Sequence, residues 1–330
     1  MCTDMEFCYP VSAMKRPAHI DPEFLELTFR VAREYAGWRA DRFVANRIPR
    51  LSRTRVQRIL KKFAFDEDGK QVKPNRVLRE DEKITVYKMP PDEPDTPRHF
   101  GVIYEDKWLM AVDKPAGLPV HPTARYLKNT LTALLEERYG PDRPILTHRL
   151  DAETSGIVLC SKGPESERLV KRMFADRKVK KTYLAVIDGV MDPPSGRIEV
   201  AMGFDPDSII RVKMACGPSH SLPALTEYRT LEVAGDRTLL EIKPRTGRQH
   251  QIRAHLAHVG HPIVGDKMYG PDEDLFLEYI ESGLTPEIER RAGHKRHALH
   301  AASLSFTHPF TGDEITIECP PPEDIRGLME

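Results

Sequence analysis

Three polar clusters between residues 147 and 270 carry the side chains that could perform chemistry. The first, residues 147–159 (THRLDAETSGIVL), places Asp151 on a glycine-punctuated loop that leads into a β-like run, directly after His148 and Arg149. Loops that lead into a rigid strand are favoured positions for catalytic groups. An isolated aspartate is more often a turn or cap residue, so a catalytic role for Asp151 depends on the groups around it.

The second and third clusters supply groups that could surround this carboxylate. The second, residues 180–186 (KKTYLAV), places Tyr183 at the start of a predicted strand. The third, residues 243–270, has almost no acid up to residue 265 and is crowded with Arg245, Arg248, His250, Arg253, His255, His258 and His261. This density of donors favours a site for RNA phosphates and for pairing with a carboxylate over a set of capping residues around a Thr-Gly turn.

The spacing of these residues disfavours metal and cofactor chemistry. The histidines do not form the His-x-x-x-His pair that places two imidazoles on one helical face, and no partner glutamate follows them. The chain also has neither a Gly-x-Gly-x-x-Gly nor a Gly-x-x-x-x-Gly-Lys motif, which would bind nucleotide phosphates. We therefore expect no metal and no cofactor.

The composition fits a globular protein with two domains. The 330 residues include 50 Lys and Arg against 50 Asp and Glu, so the formal net charge is zero, and 40% are hydrophobic. No apolar run approaches the ~20 residues that cross a bilayer. The N-terminal residues lack the order of a secretory signal, and the five cysteines form no Cys-x-x-Cys pair. We expect a monomeric, cytoplasmic protein without a membrane partner.

Prolines mark a division of the chain. Four prolines and three acids fall within residues 89–98 (MPPDEPDTPR), a composition typical of an extended linker. The predicted organisation is an N-terminal extension over residues 1–22, a small domain over 23–88, this linker, and a large domain over 99–330.

The small domain contains a strongly basic segment. Residues 39–62 hold nine Arg and Lys and one acid, Asp41, which gives a local net charge of +8. Apolar residues from Val56 to Phe63 follow the spacing of a helix packed on one side, with Ser52 placed to cap its start. A solvated face normally mixes both signs of charge, so this segment favours binding to nucleic-acid phosphates. The candidate RNA contacts are Arg53, Arg55, Arg58 and Lys62.

The large domain has the pattern of an α+β fold. Helical patterns at residues 129–139 and 168–174 are outnumbered by β-like runs at 102–104, 109–112, 157–160, 183–187 and 239–242. Without a regular βαβ alternation, this pattern predicts a mainly antiparallel mixed sheet. Residues 271–298 predict two further short helices.

Four motifs of the large domain resemble those of the RluA family of RNA pseudouridine synthases. HRLD-x-x-TSG lies at residues 148–156, K-x-Y-x-A at 181–185, and TGR-x-HQIR-x-H followed by GHPIVGDKMYG at 246–270. Segments 104–123 and 299–324 resemble the same family. The small domain is similar to the S4-type RNA-binding domain in the order of its segments ADRFVANRI, LSRTRVQRIL and GKQVKPNRVLREDEKITV.

This resemblance implies a fold, an activity and residue roles. The family isomerises uridines of RNA to pseudouridine, without cofactor or metal, in a central RNA-binding cleft of an α+β domain. By their places in the motifs, Asp151 corresponds to the catalytic aspartate and Tyr183 to the active-site tyrosine. Arg253 corresponds to the arginine that pairs with the aspartate. Further candidate RNA contacts are Arg149, His148, Arg248 and His250.

Several alternatives remain open from the sequence. The RNA partner is ribosomal RNA of the large subunit, which the S4-like domain favours, or tRNA. A non-catalytic S4-type RNA-binding or assembly protein would keep the basic helix but would not need Asp151, Tyr183 and Arg253 together. A metal-dependent hydrolase would use the histidines. For the synthase, the uridine must be flipped out of its stack, and Asp151 then attacks the ribose or the base, or abstracts a ribose proton.

Overall fold

The structure is a computed structural model that describes residues 16–48, 53–89, 93–123, 125–270 and 272–330. Ser52, which was predicted to cap the basic helix, and residues 1–15 of the predicted N-terminal extension lie outside the described residues. The chain divides into two compact units between Asp92 and Glu93, and each unit is described by itself.

The first unit combines a small antiparallel sheet with two helices. Its elements in chain order are β1 (Leu25–Arg30), a 3-10 turn (Arg33–Tyr35), α1 (Ala40–Arg47), α2 (Arg53–Phe63), β2 (Ala64–Asp66) and β3 (Lys83–Lys88). The strands lie in the order β1, β3, β2 across the sheet. Side chains from both helices and from β3, among them Phe43, Val56, Leu60 and Ile84, form one buried cluster.

The basic helix forms where the apolar spacing predicts it. Val56 and Leu60, one turn apart on α2, are fully buried, whereas Arg55, Arg58 and Lys62 are exposed. One face of the helix therefore anchors it in the unit, and another face presents positive charge to solvent.

The single acid of the basic segment has a structural role. Asp41 is fully buried, and its carboxylate accepts hydrogen bonds from the guanidinium groups of Arg39 and Arg53 and from Gln57 Nε2. Burial by itself raises the pKa of Asp41, but these hydrogen bonds outweigh it and lower the pKa to about 2. Arg53 thus ties α2 to α1. Its side chain is still 58% exposed, and the RNA contact expected for it stays a prediction.

The second unit is built on a large sheet. Its strands are β4 (Gly101–Glu105), β5 (Leu109–Lys114), β6 (Ile145–Leu146), β7 (Ser155–Ser161), β8 (Lys180–Asp188), β9 (Ser195–Glu199), β10 (Met202–Phe204), β11 (Met214–Cys216), β12 (Leu225–Ala234), β13 (Arg237–Pro244), β14 (Leu299–Thr307) and β15 (Glu314–Glu318). The order across the sheet is β4-β5-β7-β14-β8-β13-β12-β9, with β6 beside β7 and β15 beside β14. β10 and β11 form a separate hairpin.

Six helices accompany this sheet in the part of the unit that the structure describes. They are α3 (Leu131–Tyr139), α4 (Pro164–Ala175), α5 (Gln251–His258), α6 (Asp274–Ser282), α7 (Pro286–Ala292) and α8 (Glu323–Arg326), with a 3-10 turn at Gly140–Asp142. The helices predicted at 129–139, 168–174 and within 271–298 are confirmed, whereas α5 was not predicted. No described helix has the length and apolar character needed to span a membrane.

The predicted α+β class with a mainly antiparallel mixed sheet is confirmed. β7 and β14 pair in parallel, and the strands on either side of them pair in antiparallel fashion. Alternate residues of β5 enter two different buried clusters: Met110 and Val112 join one, and Leu109 and Ala111 join the other. Both faces of this part of the sheet are therefore covered, which explains why β5 is apolar without alternation.

Part of the predicted linker belongs to the second unit. The Glu93 carboxylate accepts hydrogen bonds from the backbone N–H groups of Lys128 (2.9 Å) and Asn129 (2.8 Å). Arg98 pairs with Glu137 on α3. Residues 93–98 are thus held on the large unit through the carboxylate of Glu93 and the side chain of Arg98.

Gly156 in β7 is required by the parallel strand pair. Its φ is +105°, and a Cβ atom at this position would lie 2.3 Å from the carbonyl oxygen of Ala301 on β14. Only glycine combines this backbone conformation with so close an approach of the neighbouring strand.

Replacing Gly156 by alanine should therefore destabilise the fold strongly. We expect a loss of at least about 3 kcal/mol in the free energy of unfolding, measured by urea titration, from backbone strain of ~1–2 kcal/mol and the clash with β14. Gly312→Ala is the matched control, because Gly312 has a φ of +82° but no atom within 4 Å of its Cβ position. Equal losses in the two variants would contradict the close approach.

Candidate active site

The candidate active site lies where four neighbouring strands of the large sheet bring distant segments together. β14 lies between β7 and β8, and β13 pairs with β8 on its other side. The loop before β7, Tyr183 on β8 and the helix α5 that follows β13 consequently line one cleft of about 1230 Å³. Asp151, Tyr183 and Arg253 all belong to the lining of this cleft.

The central contact of the cleft is an ion pair between Asp151 and Arg253. Arg253 Nη1 donates to Asp151 Oδ2 at 2.9 Å. The Arg253 side chain is 7% exposed and that of Asp151 is 23% exposed. The arginine is thus almost withdrawn from water, whereas the carboxylate remains reachable from the cleft.

A second carboxylate fixes the arginine. Arg253 Nε and Nη2 donate to the two oxygens of Asp266 at 2.6 and 2.8 Å. Asp266 is buried and accepts the backbone N–H groups of Met268 and Tyr269 at 3.0 Å each. This bidentate pair sets the plane of the guanidinium group and leaves one of its edges for Asp151. The role of Asp266 was missed, although the motif GDKMYG contains it.

Asp266, Arg253 and Asp151 form a trio of charged groups, and its charges keep Asp151 ionised. Burial raises the pKa of Asp151, but the positive charge of Arg253 outweighs it and lowers the pKa to about 2. The pKa of Asp266 also lies well below its ordinary value for the same reason. At neutral pH the cleft therefore presents a carboxylate anion held in a fixed orientation.

The residues that follow Asp151 are anchored from two sides. Lys114, which is fully buried, donates from Nζ to Ala152 O at 3.0 Å and to two further carbonyl oxygens of its own loop. Lys267 Nζ donates to Glu153 Oε1 at 3.0 Å, and Arg296 Nη1 donates to Glu153 O at 3.1 Å. These three basic residues position the loop that carries Asp151, and none of them was assigned a role from the sequence.

Tyr183 presents an aromatic ring and a protonated hydroxyl group to the cleft. On β8 it lies opposite Ile242 of β13 and Ala301 of β14. Burial raises the pKa of Tyr183, and the nearby negative charge of Asp151 raises it further. The hydroxyl group therefore stays protonated at neutral pH and can donate a hydrogen bond.

The two histidines predicted as RNA contacts are neutral groups with structural partners. His148 Nε2 accepts the N–H of Leu159 at 2.9 Å, and burial lowers the pKa of His148 to about 3. His250 Nδ1 lies 3.0 Å from the hydroxyl oxygen of Tyr269, and burial together with the charge of Arg253 lowers the pKa of His250 to about 4. The RNA contacts expected for them stay predictions, and at pH 7 neither imidazole would bring positive charge to such a contact.

Arginines and lysines provide the positive charge of the cleft instead. The predicted contacts Arg149 and Arg248 line it, and Arg248 Nε also donates to Pro223 O at 3.2 Å. Further basic residues also line the cleft: Arg177, Lys180, Lys181, Lys243 and Arg245. Of these, Lys243 pairs with Glu241 and Arg245 pairs with Glu227.

The other histidines of the third cluster are dispersed. His255 contacts Thr226 Oγ1 and Val200 O, and His261 contacts Asp188 O. Within the described ranges, no group of three or more His, Cys, Asp or Glu residues is arranged to hold a metal ion.

Comparison with known proteins identifies the fold and the activity. Residues 108–258 match the family model described as RNA pseudouridylate synthase. The chain is 36% identical to the ribosomal large subunit pseudouridine synthase D of Neisseria meningitidis, over 90% of this chain and 79% of the relative. It is 34% identical to the protein of the same name from Xanthomonas campestris, over 89% and 88% of the two chains.

Solved structures agree with these sequence matches. Human RNA Pseudouridylate Synthase Domain Containing 1 superposes with a TM-score of 0.55 and 26% identity, over 70% of this chain and 86% of the human chain. Human RNA Pseudouridylate Synthase Domain Containing 4 gives a TM-score of 0.53, also at 26% identity. The resemblance noted in the motifs is confirmed: this chain belongs to the RluA family and is an RNA pseudouridine synthase.

Proposed function

We propose that this synthase modifies ribosomal RNA of the large subunit and that Asp151 is its catalytic carboxylate. The observation that carries the proposal is the chain of contacts from Asp266 through Arg253 to Asp151 in a cleft lined by arginines and lysines. The relatives named above act on the large ribosomal subunit according to their names, which supports this RNA over tRNA.

The proposed reaction exchanges one bond to the ribose for another. The C1′–N1 bond of uridine breaks, the uracil turns, a C1′–C5 bond forms, and the proton at C5 leaves while N1 gains one, so no oxidant or reductant is needed. Asp151 acts as an anion that adds to the ribose or base or removes a ribose proton. Tyr183 offers a ring for stacking on uracil and a hydroxyl group near the site of proton movement.

RNA binding must also offset the cost of exposing the uridine. Flipping a nucleotide out of its stack costs a few kcal/mol. Contacts between phosphates and the cleft residues Arg149, Arg177 and Lys180 would supply part of this energy. We further propose that the first unit is an S4-like RNA-binding domain, because α2 exposes Arg55, Arg58 and Lys62 on one element.

The substrate proposal is tested by mapping pseudouridines in cells with and without this protein. Carbodiimide-based primer extension should lose one or more stops in large-subunit ribosomal RNA when the protein is absent. Stops that disappear from tRNA, with the ribosomal pattern unchanged, would favour the tRNA alternative and overturn the ribosomal assignment.

Replacing Asp151 by asparagine should abolish catalysis and preserve RNA binding, because the charge is lost while the shape is nearly kept. We expect tritium release from C5-labelled RNA to fall by about 10³-fold or more, with the RNA dissociation constant changed by less than about threefold. Asp142→Asn, in an exposed turn that does not line the cleft, is the control. Turnover by Asp151→Asn at the rate of this control would refute the assigned role.

Removing the charge of Arg253 should change the pH dependence of catalysis. With a pKa of about 2, Asp151 is ionised throughout the range from pH 5 to 9 and gives no acid limb in kcat/KM. In Arg253→Met the effect of burial dominates, so the pKa rises and activity should fall as the pH is lowered through this range. Arg253→Lys keeps the charge and should show a smaller shift. If Arg253→Met keeps residual activity and its kcat/KM shows no fall between pH 9 and pH 5, this electrostatic role is contradicted.

Reversing charge on α2 should weaken RNA binding and its salt dependence. For Arg58→Glu with Lys62→Glu, we expect the slope of log K against log salt to become shallower by about 2, one for each lost phosphate contact. The control applies the same charge change at Arg33 and Lys73, exposed positions of the same unit outside α2. Equal effects in both double variants would show that general charge, and not this helix, governs binding.

A further inference from the structure

A second cavity adjoins the cleft at Asp151. Its volume is about 290 Å³, and it shares five lining residues with the cleft: Arg149, Leu150, Asp151, His250 and Arg253. Helix α6, from the segment 271–298, contributes one of its walls, so we call this cavity the insert pocket. The ion pair between Asp151 and Arg253 therefore lies at the junction of two cavities.

The walls of the insert pocket are suited to a flat ring. Aromatic and apolar side chains dominate them, namely Val120, Tyr126, Met268, Phe276, Tyr279 and Ile280. Sites that accept single-stranded RNA combine such aromatic surfaces with basic groups that reach the backbone, because every base has a face that stacks. Arg125 and Arg149 are the basic residues of the lining that no described ion pair occupies.

A fixed polar group decides which part of a nucleotide can enter. The carboxylate of Glu153 lines the insert pocket and is held there by Lys267 Nζ and by the N–H of His297 (3.1 Å). Burial raises the pKa of Glu153, but the neighbouring positive charges and hydrogen bonds outweigh it, so this group is an anion. An anionic wall repels a phosphate group, whereas a neutral base can stack in the pocket and leave its phosphates near the arginines.

We propose that the insert pocket binds a second unpaired nucleobase of the RNA substrate, close in sequence to the isomerised uridine. The volume matches the lower end of ligand pockets and suits one base. The uridine itself is assigned to the cleft, because Tyr183 lines the cleft and not the insert pocket. This inference rests on the proposed function, and it gives the segment 271–298 a role in substrate recognition.

Filling the pocket should impair recognition without impairing chemistry. Ile280, 42% exposed, lines the pocket, and Leu284, 45% exposed in the same segment, does not. With total RNA from cells that lack the protein as substrate, Ile280→Trp should raise KM at least about tenfold and change kcat by less than about twofold. Leu284→Trp should leave both constants within about twofold. Equal KM values for the two variants would overturn the proposal.

Photo-crosslinking locates the base directly. With p-benzoylphenylalanine at position 280, irradiation of the complex with the same RNA should crosslink a nucleotide within a few positions of the mapped pseudouridine. The same probe at position 245, an exposed residue of the cleft, is the positive control. A crosslink from position 245 without one from position 280 would refute the insert pocket. If the wild-type protein forms no pseudouridine in this RNA, the proposed function is refuted. This outcome can be told apart from a failure of the insert-pocket proposal, in which the wild-type protein is active but the KM and crosslinking results at position 280 are negative.

Discussion

The site depends on one constraint, the burial of Arg253. A guanidinium group that is almost withdrawn from water is tolerated only when its donors are paired with negative charge. Asp266 takes two of those donors and is itself held by backbone N–H groups, so the orientation of Arg253 is set before Asp151 joins it. Asp266, Arg253 and Asp151 together carry two negative charges and one positive charge. The net negative charge lies on Asp151, which is open to the cleft.

The surrounding fold can be understood as the support for this trio. The parallel pairing of β7 with β14 places the start of β7, and the loop before it, one strand away from Tyr183, with Ala301 of β14 between Gly156 and Tyr183. Gly156 permits that pairing, and the buried Nζ of Lys114 donates to the carbonyl oxygen of Ala152 directly after Asp151. Each contact joins residues far apart in sequence, so the geometry around Asp151 is a property of the assembled sheet and not of the loop alone.

This separation of contacting residues along the sequence explains which parts of the structure could be predicted from the sequence. The helix α2 and the strands β5, β7 and β8 were predictable because apolar spacing is a local signal. The helix α5 was not, since its N-cap residue, His250, has a φ of +53° and a side chain that provides no cap hydrogen bond. The ion pair across 102 residues between Asp151 and Arg253 was expected only from the family resemblance, and the role of Asp266 was missed because its partner Arg253 lies 13 residues earlier in another element.

The histidines show that the charge of a side chain depends on its burial in the fold. As residue types, His148 and His250 resembled donors for phosphate, but burial lowers their pKa values far enough to leave both neutral at pH 7. The positive field of the cleft consequently comes from arginines and lysines, whose charge persists across the physiological range. A neutral total charge conceals this polarity, because the +8 of residues 39–62 is balanced by −8 elsewhere. In the second unit part of that negative charge lies on Asp266 and Glu153, which pair with Arg253 and Lys267.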